Sequence, residues 1–114
     1  MKRWLSLALI LLCSPALAQV SRPIKTLGQN INGGAPQSVL PINQGRTYLA
    51  ILNQSATATI ACAFGATVPA INGAGSYTLL PNAGYVFDQS SGIVPNDSMM
   101  CVASVNSTPL TVWQ

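Results

Sequence analysis

Histidine and glutamate are absent from this 114-residue sequence, and its only acidic residues are Asp88 and Asp97. Without histidine, the chain has neither the general base of a Ser-His-Asp or Cys-His device nor the usual nitrogen ligand of zinc sites. The two aspartates flank one predicted loop, where a carboxylate pair could serve glycoside hydrolysis or bind Ca²⁺. Aspartates of loops more commonly cap turns, and we prefer that interpretation. The sequence therefore predicts a protein that is not an enzyme and needs no metal or cofactor.

Charge is also scarce, with five cationic and two acidic residues in the whole chain. Two of the cations lie within residues 1–18, so the remainder carries a formal net charge of 3 − 2 = +1. So few cations cannot neutralise a run of phosphates, which argues against nucleic-acid binding. The surface must instead be built from Asn, Gln, Ser and Thr side chains. Low net charge favours association with a protein partner or with copies of the same chain.

Residues 1–18 have the pattern of a secretory signal peptide. A basic head at residues 1–3 is followed by an apolar run over residues 4–13 and a small-x-small site at residues 16–18. This order of head, core and site is typical of export signals. Cleavage between Ala18 and Gln19 leaves 114 − 18 = 96 residues. The short basic head is bacterial in type, so we expect the protein in the periplasm, at the cell surface or outside the cell.

Three other interpretations of this segment fit its sequence less well. A membrane-spanning helix needs about 20 apolar residues, and the run before Pro15 is about half that length, so we expect no stable membrane span after cleavage. Acylation of Cys13 would require a small residue before it, but Leu12 stands there. The basic head and the cleavage site disfavour the first helix of a folded domain.

Cleavage would leave two cysteines, Cys62 and Cys101. In an oxidising compartment such a pair is expected to form a disulfide, here closing a loop of about 40 residues that would contribute about 4 kcal/mol of stability. A redox-active pair or a metal site is the alternative. Neither cysteine lies in a C-x-x-C motif, and the chain offers no histidine. We predict a buried structural disulfide, because both cysteines stand on apolar faces of predicted strands.

The fold is predicted to be all-β: a single antiparallel β-sandwich or jelly-roll-like domain of about seven strands over residues 38–114. Short runs with period-two alternation recur between turn residues, and no sustained helical periodicity follows the signal peptide. The predicted strands cover residues 38–42, 46–53, 57–64, 77–80, 85–88, 98–105 and 110–113, with 77–80 and 85–88 forming a hairpin. Residues 19–37, rich in Gly and Pro, are expected to form a flexible arm with a short strand near residues 24–27. This arm could add a strand to a partner subunit.

The order of motifs resembles small β-sandwich structural proteins, decoration-like, of tailed phages and prophages. The resemblance covers residues 46–112. It rests on RTYLAILNQS at 46–55, FG at 64–65, LPNAGYVFD at 80–88, VPNDSM at 94–99 and LTV at 110–112. It implies a non-enzymatic virion decoration or fibre-associated role. The signal peptide and the cysteine pair depart from that pattern, because virion parts assemble in a reducing cytoplasm, and they favour a domain reused outside it.

Two functional expectations follow. The first is an exported, non-enzymatic structural or interaction protein, virion-like or at the cell surface, that acts by surface contacts and self-association. The alternative is a small secreted glycan-binding module with a ligand surface at Tyr48, Tyr77, Tyr85 and Trp113, whose rings could stack on sugars. Aromatic residues in strands are more often core or cross-strand pairs.

Overall fold

The computed structural model describes residues 24–90 and 92–114 of the chain. The predicted signal peptide, its cleavage site between Ala18 and Gln19, and residues 19–23 of the predicted arm lie outside these ranges. The described part contains eight β-strands and no helix. They are β1 (Thr26–Ile31), β2 (Gln37–Leu40), β3 (Leu49–Asn53), β4 (Ile60–Phe64), β5 (Tyr77–Leu79), β6 (Gly84–Phe87), β7 (Met99–Ala103) and β8 (Thr108–Trp113).

The strands form two four-stranded antiparallel sheets. Sheet A has the order β1-β8-β3-β6, and sheet B has the order β2-β7-β4-β5. Four of the pairings are nested: β1 with β8, β2 with β7, β3 with β6, and β4 with β5. The chain therefore forms a long antiparallel hairpin of four strand pairs that is divided between two sheets. This strand order is that of a jelly roll. The predicted all-β antiparallel sandwich is confirmed.

The predicted boundary between arm and domain at residues 37 and 38 differs from the structure. Residues 26–31, assigned to the flexible arm, form β1 and pair along their full length with β8 of the same chain. The short strand predicted near residues 24–27 overlaps β1 only at residues 26 and 27. The ladder continues beyond the strand, where Lys25 and Gln114 exchange both backbone hydrogen bonds. Only Ile31 of β1 is buried, so the alternation that marks the other strands is missing here. The sandwich therefore has eight strands, and it begins at β1.

The predicted hairpin of residues 77–80 and 85–88 is wrong. The two segments form β5 and β6, but β5 pairs with β4 in sheet B and β6 pairs with β3 in sheet A. The turn at Pro81 therefore carries the chain from one sheet to the other. Gly84 permits the close approach that follows, because a Cβ atom there would lie 2.5 Å from the carbonyl oxygen of Ile51.

The core lies between the inner faces of the two sheets, where alternate residues are directed. In β3 these are Leu49 and Ile51. The largest fully buried apolar side chains are those of Ile31, Leu40, Leu49, Ile51, Ile60, Leu79, Met99, Leu110 and Val112.

The predicted disulfide is confirmed and lies inside this core. Cys62 and Cys101 are bonded and stand directly opposite each other on neighbouring strands β4 and β7, with a Cα–Cα distance of 4.1 Å. Both side chains are fully buried. Besides closing a long loop, the bond joins the two central strands of sheet B.

Replacing both cysteines by alanine is expected to lower the free energy of unfolding by about 4 kcal/mol, because the unfolded chain regains the entropy of an open loop. Denaturant unfolding of the oxidised wild-type and the double variant measures this. The reduced wild-type chain is the matched control, since it loses the bond but keeps both sulfur atoms. A loss confined to the alanine variant would assign the effect to packing instead.

Candidate interaction surface

The C-terminal end of β3 is held by the side chain of Asn53, which is fully buried. Its amide nitrogen donates to the backbone carbonyls of Ala58 at 2.7 Å, Leu79 at 3.0 Å and Leu80 at 3.2 Å. Its amide oxygen accepts from the Ser55 N–H at 3.0 Å. Asn53 thus joins β3 of sheet A to the end of β5 in sheet B, which is the point where the chain changes sheets.

The other end of β3 is preceded by Arg46, whose side chain is only 7% exposed. Its Nη1 donates to the carbonyls of Pro95 at 2.7 Å and Asp97 at 3.1 Å, and Nη2 donates to Pro41 at 3.1 Å. Its Nε donates to the Gln114 side chain at 3.1 Å. Burial lowers the pKa of Arg46, and the nearby Asp97 carboxylate opposes that shift. The guanidinium remains charged and holds two loops and the C-terminal residue together.

Strand β6 lies between these two anchors, at the edge of sheet A. The Asn53 N–H donates to the Ala83 carbonyl at 2.9 Å, which sets the alternation of the ladder between β3 and β6. In an antiparallel pair every second residue bonds to the neighbouring strand. Residues 85 and 87 therefore bond to β3. The N–H and C=O groups of Gly84 and Val86 point away from the sheet.

The other three edge strands carry features that natural proteins use to block edge-to-edge pairing. Strand β2 lies between Pro36 and Pro41, and its register with β7 is interrupted by an irregularity. Strand β5 has only three residues. On β1, the Asn30 carbonyl already accepts the Gln37 side-chain amide at 3.0 Å. Strand β6 contains no proline, no lysine and no register shift.

The side chains of β6 are apolar and largely exposed. Val86, on the outer face of sheet A, is 56% exposed, and Tyr85 is 44% exposed. Tyr85 and Phe87 are directed toward the other sheet, where they meet Tyr77 of β5 with ring centroids 5.3 Å away in both cases. Phe64 completes this aromatic cluster at 5.7 Å from both Tyr77 and Phe87. The cluster closes the sandwich at its β5–β6 side and presents Tyr85 to solvent.

The four residues of the predicted ligand surface do not all lie together in the structure. Tyr77 and Tyr85 lie together in the aromatic cluster. Trp113 stands opposite Ala50 in the ladder between β3 and β8, on the outer face of sheet A. Within the described residues, neither Tyr48 nor Trp113 has a ring contact with the cluster. Val86 was not identified from the sequence, although a strand without proline or lysine beside exposed aromatics is a signal that could have indicated it.

The surface carries almost no charge. The charged residues after residue 18 are Arg22, Lys25, Arg46, Asp88 and Asp97, so their formal net charge is 3 − 2 = +1. The two aspartates have different partners: Asp88 accepts a hydrogen bond of 2.7 Å from Ser90, and Asp97 lies beside Arg46. Residues 24–90 and 92–114 contain no group of three or more side chains suited to a metal ion. The same ranges include no helix of the length and hydropathy needed to cross a membrane.

Comparison with known proteins found no matching family model, no similar curated protein and no similar solved structure. The jelly-roll assignment therefore rests on the strand order and the ladders alone. The resemblance to phage structural proteins stays a prediction. A fold by itself does not imply a function, so we infer the function from the β6 edge and its surroundings.

Replacing Asn53 by alanine is expected to lower the free energy of unfolding by about 3 kcal/mol, because buried backbone carbonyls lose their donor. The exchange of the Tyr85 amide should also accelerate, since this end of β6 depends on the same anchor. Denaturant unfolding and hydrogen exchange measure the two effects. Gln54→Ala is the neighbouring control; it removes an exposed hydrogen bond to Thr111 and should cost less than about 0.5 kcal/mol. Equal effects of both variants would contradict the anchoring role.

Replacing Arg46 by lysine is expected to cost about 2 kcal/mol, although the charge is kept. An ammonium group cannot reproduce the fork of guanidinium donors that reaches several separate carbonyls. Lys25→Ala removes an exposed cation and should leave the unfolding midpoint nearly unchanged. If Arg46→Lys were as stable as the wild-type protein, the positive charge alone would account for the stabilisation by Arg46. The geometry of its hydrogen bonds would then be irrelevant.

Proposed function

We propose that this chain is an exported, non-enzymatic structural or interaction protein that acts by surface contact and self-association. The observation that carries the proposal is the open, apolar edge of sheet A at β6, on a chain whose formal net charge after residue 18 is only +1. Monomeric β-proteins generally block such edges, because unpaired backbone groups recruit further strands. An edge left unblocked is therefore best explained as a contact surface.

The composition supports the same role. Without long-range charge, copies of the domain neither repel one another nor attract a highly charged partner. The side chains available for catalysis are few, since histidine and glutamate are missing from the entire sequence. Contact through an apolar strand edge on a weakly charged surface needs none of them.

Export is part of the proposal. The pattern of residues 1–18 is that of a signal peptide. The buried Cys62–Cys101 bond is compatible with an oxidising compartment, where disulfides persist. We propose the periplasm, the cell surface or the extracellular space as its location.

The phage resemblance adds a further argument. Its motifs contain Arg46 and Asn53, the residues that anchor both ends of β3, and Pro95 and Asp97, whose carbonyls accept hydrogen bonds from Arg46. The pattern that carries the resemblance thus includes the side chains that hold the two ends of β3, the strand beside β6. We propose a virion-like or cell-surface component on this basis.

A second candidate function is glycan binding, and one observation favours it. Tyr85 is backed by the aromatic cluster and keeps 44% of its surface exposed. A supported, accessible ring with a hydroxyl group suits stacking on a sugar. Tyr48 and Trp113 take no part in this cluster, so the platform would consist of Tyr85 and Tyr77.

The test is to express the whole chain in a bacterium and to examine the product. We expect the exported fraction to contain a 96-residue chain beginning at Gln19, two mass units lighter than its reduced form because of the disulfide. Light scattering over a concentration series should then show association, and a glycan array should give no signal. A retained leader with reduced cysteines would contradict export. A strict monomer that binds glycans would favour the second candidate.

A further inference from the structure

The β6 edge has a partner of matching shape and hydrogen-bonding pattern in a second copy of itself. We infer that two copies pair β6 with β6 in antiparallel orientation about a two-fold axis, with Val86 of each copy opposite Val86 of the other. This inference rests on the proposed function and names its partner. It would join the two copies of sheet A into one continuous eight-stranded sheet.

The hydrogen-bonding groups restrict the possible registers. Only Gly84 and Val86 of β6 direct their backbone N–H and C=O groups away from β3, as the Asn53–Ala83 hydrogen bond requires. In an antiparallel ladder these residues must face one another across the new pair. Val86 can therefore lie opposite either Val86 or Gly84 of the second copy.

The side chains favour the first of these registers. With Val86 opposite Val86, Tyr85 of each copy lies opposite Phe87 of the other, so two aromatic pairs form on the inner face. They occupy non-hydrogen-bonded positions, where the Cα atoms approach to about 4.5 Å and side chains contact most closely. With Val86 opposite Gly84, Phe87 would face only Ala83. The register centred on Val86 thus covers the exposed surface of both Tyr85 and Val86.

Charge does not oppose this arrangement. In the chosen register Asp88 lies opposite Gly84 of the second copy, so the two Asp88 residues are four positions apart along the strands. At about 3.3 Å per residue this separation is about 13 Å, which exceeds the screening length of about 8 Å at physiological ionic strength. The other charged residues of the described ranges, Lys25, Arg46 and Asp97, lie outside β6.

The size of the contact determines its strength. A strand of four residues buries less area than the roughly 1,200 Å² of a stable complex. We therefore expect a reversible dimer with a dissociation constant on the order of 100 µM, which becomes populated where the protein is concentrated or arrayed.

The association is tested by sedimentation velocity of the oxidised mature protein over a range of concentrations around that value. The wild-type protein should pass from monomer to dimer as concentration rises, whereas Val86→Lys should weaken the dimer at least tenfold. Val105→Lys is the matched control, because Val105 is 55% exposed and Val86 is 56% exposed, but Val105 lies in the turn between β7 and β8. Val86→Pro is a second variant that removes an outward N–H without breaking the ladder to β3.

The register is tested by cysteine cross-linking. Residues of a hydrogen-bonded pair have Cα atoms about 5.5 Å apart, a distance that a disulfide spans. Val86→Cys should therefore form covalent dimers on oxidation, and Tyr85→Cys should not. The opposite result would place Tyr85 opposite Tyr85 and overturn the proposed register. The cysteine variants add neither a charge nor a proline to the β6 edge. Cross-linking therefore also tests the pairing of β6 with β6 if Val86→Lys or Val86→Pro is unstable.

The outcomes separate this inference from the function on which it rests. A dimer that is equally strong in the wild-type protein and in Val86→Lys would overturn the β6 interface and leave self-association standing. A protein that stays monomeric at every concentration would overturn both.

Discussion

The fold depends on the buried amide of Asn53. At the end of a central strand, one side chain satisfies carbonyls from the following turn and from the end of β5. Buried carbonyls without a donor are costly, and the Asn53 amide supplies a donor to the carbonyls of Ala58 and Leu79 where the chain leaves one sheet for the other. The amide therefore stabilises the crossing between the sheets. Its own backbone N–H then sets the hydrogen-bond alternation of β6, and through it which groups of the edge face solvent.

The open edge at β6 is a consequence of jelly-roll topology combined with an uncharged surface. Two open sheets have four edge strands, and the chain blocks three of them with prolines, an irregular register, a short strand or a side-chain hydrogen bond. Charged side chains commonly block an edge strand such as β6, but this chain has very few charged side chains. Stability comes instead from close packing, a buried disulfide and two polar anchors, Asn53 and Arg46. Asn53 holds the start of β6 through the Ala83 carbonyl, and Arg46 joins the loops that precede β3 and follow β6.

Much of the sandwich was predictable. The period-two alternation predicted the strands β3 and β4, and a pair of cysteines behind an export signal predicted the buried disulfide. The pattern failed at β1, where polar residues and a glycine occupy a strand that is held mainly by its backbone ladder. It failed again at the Pro81 turn, since a tight turn between two short strands looks the same whether the strands pair with each other or with different sheets. Of the predicted ligand residues, the spacing could not indicate that only Tyr77 and Tyr85 would meet.

The sequence by itself determined the fold class, the disulfide and the near-absence of charge, because alternation, cysteine number and composition are properties of the chain read in order. Only the tertiary structure decided which strands are edges, which backbone groups of β6 point outward, and which aromatic residues form a cluster. Strand pairing depends on contacts between residues far apart in the sequence, and those contacts depend on how buried polar groups such as Asn53 and Arg46 find partners. The composition determined that the candidate surface has little charge, but folding determined where on the molecule it lies.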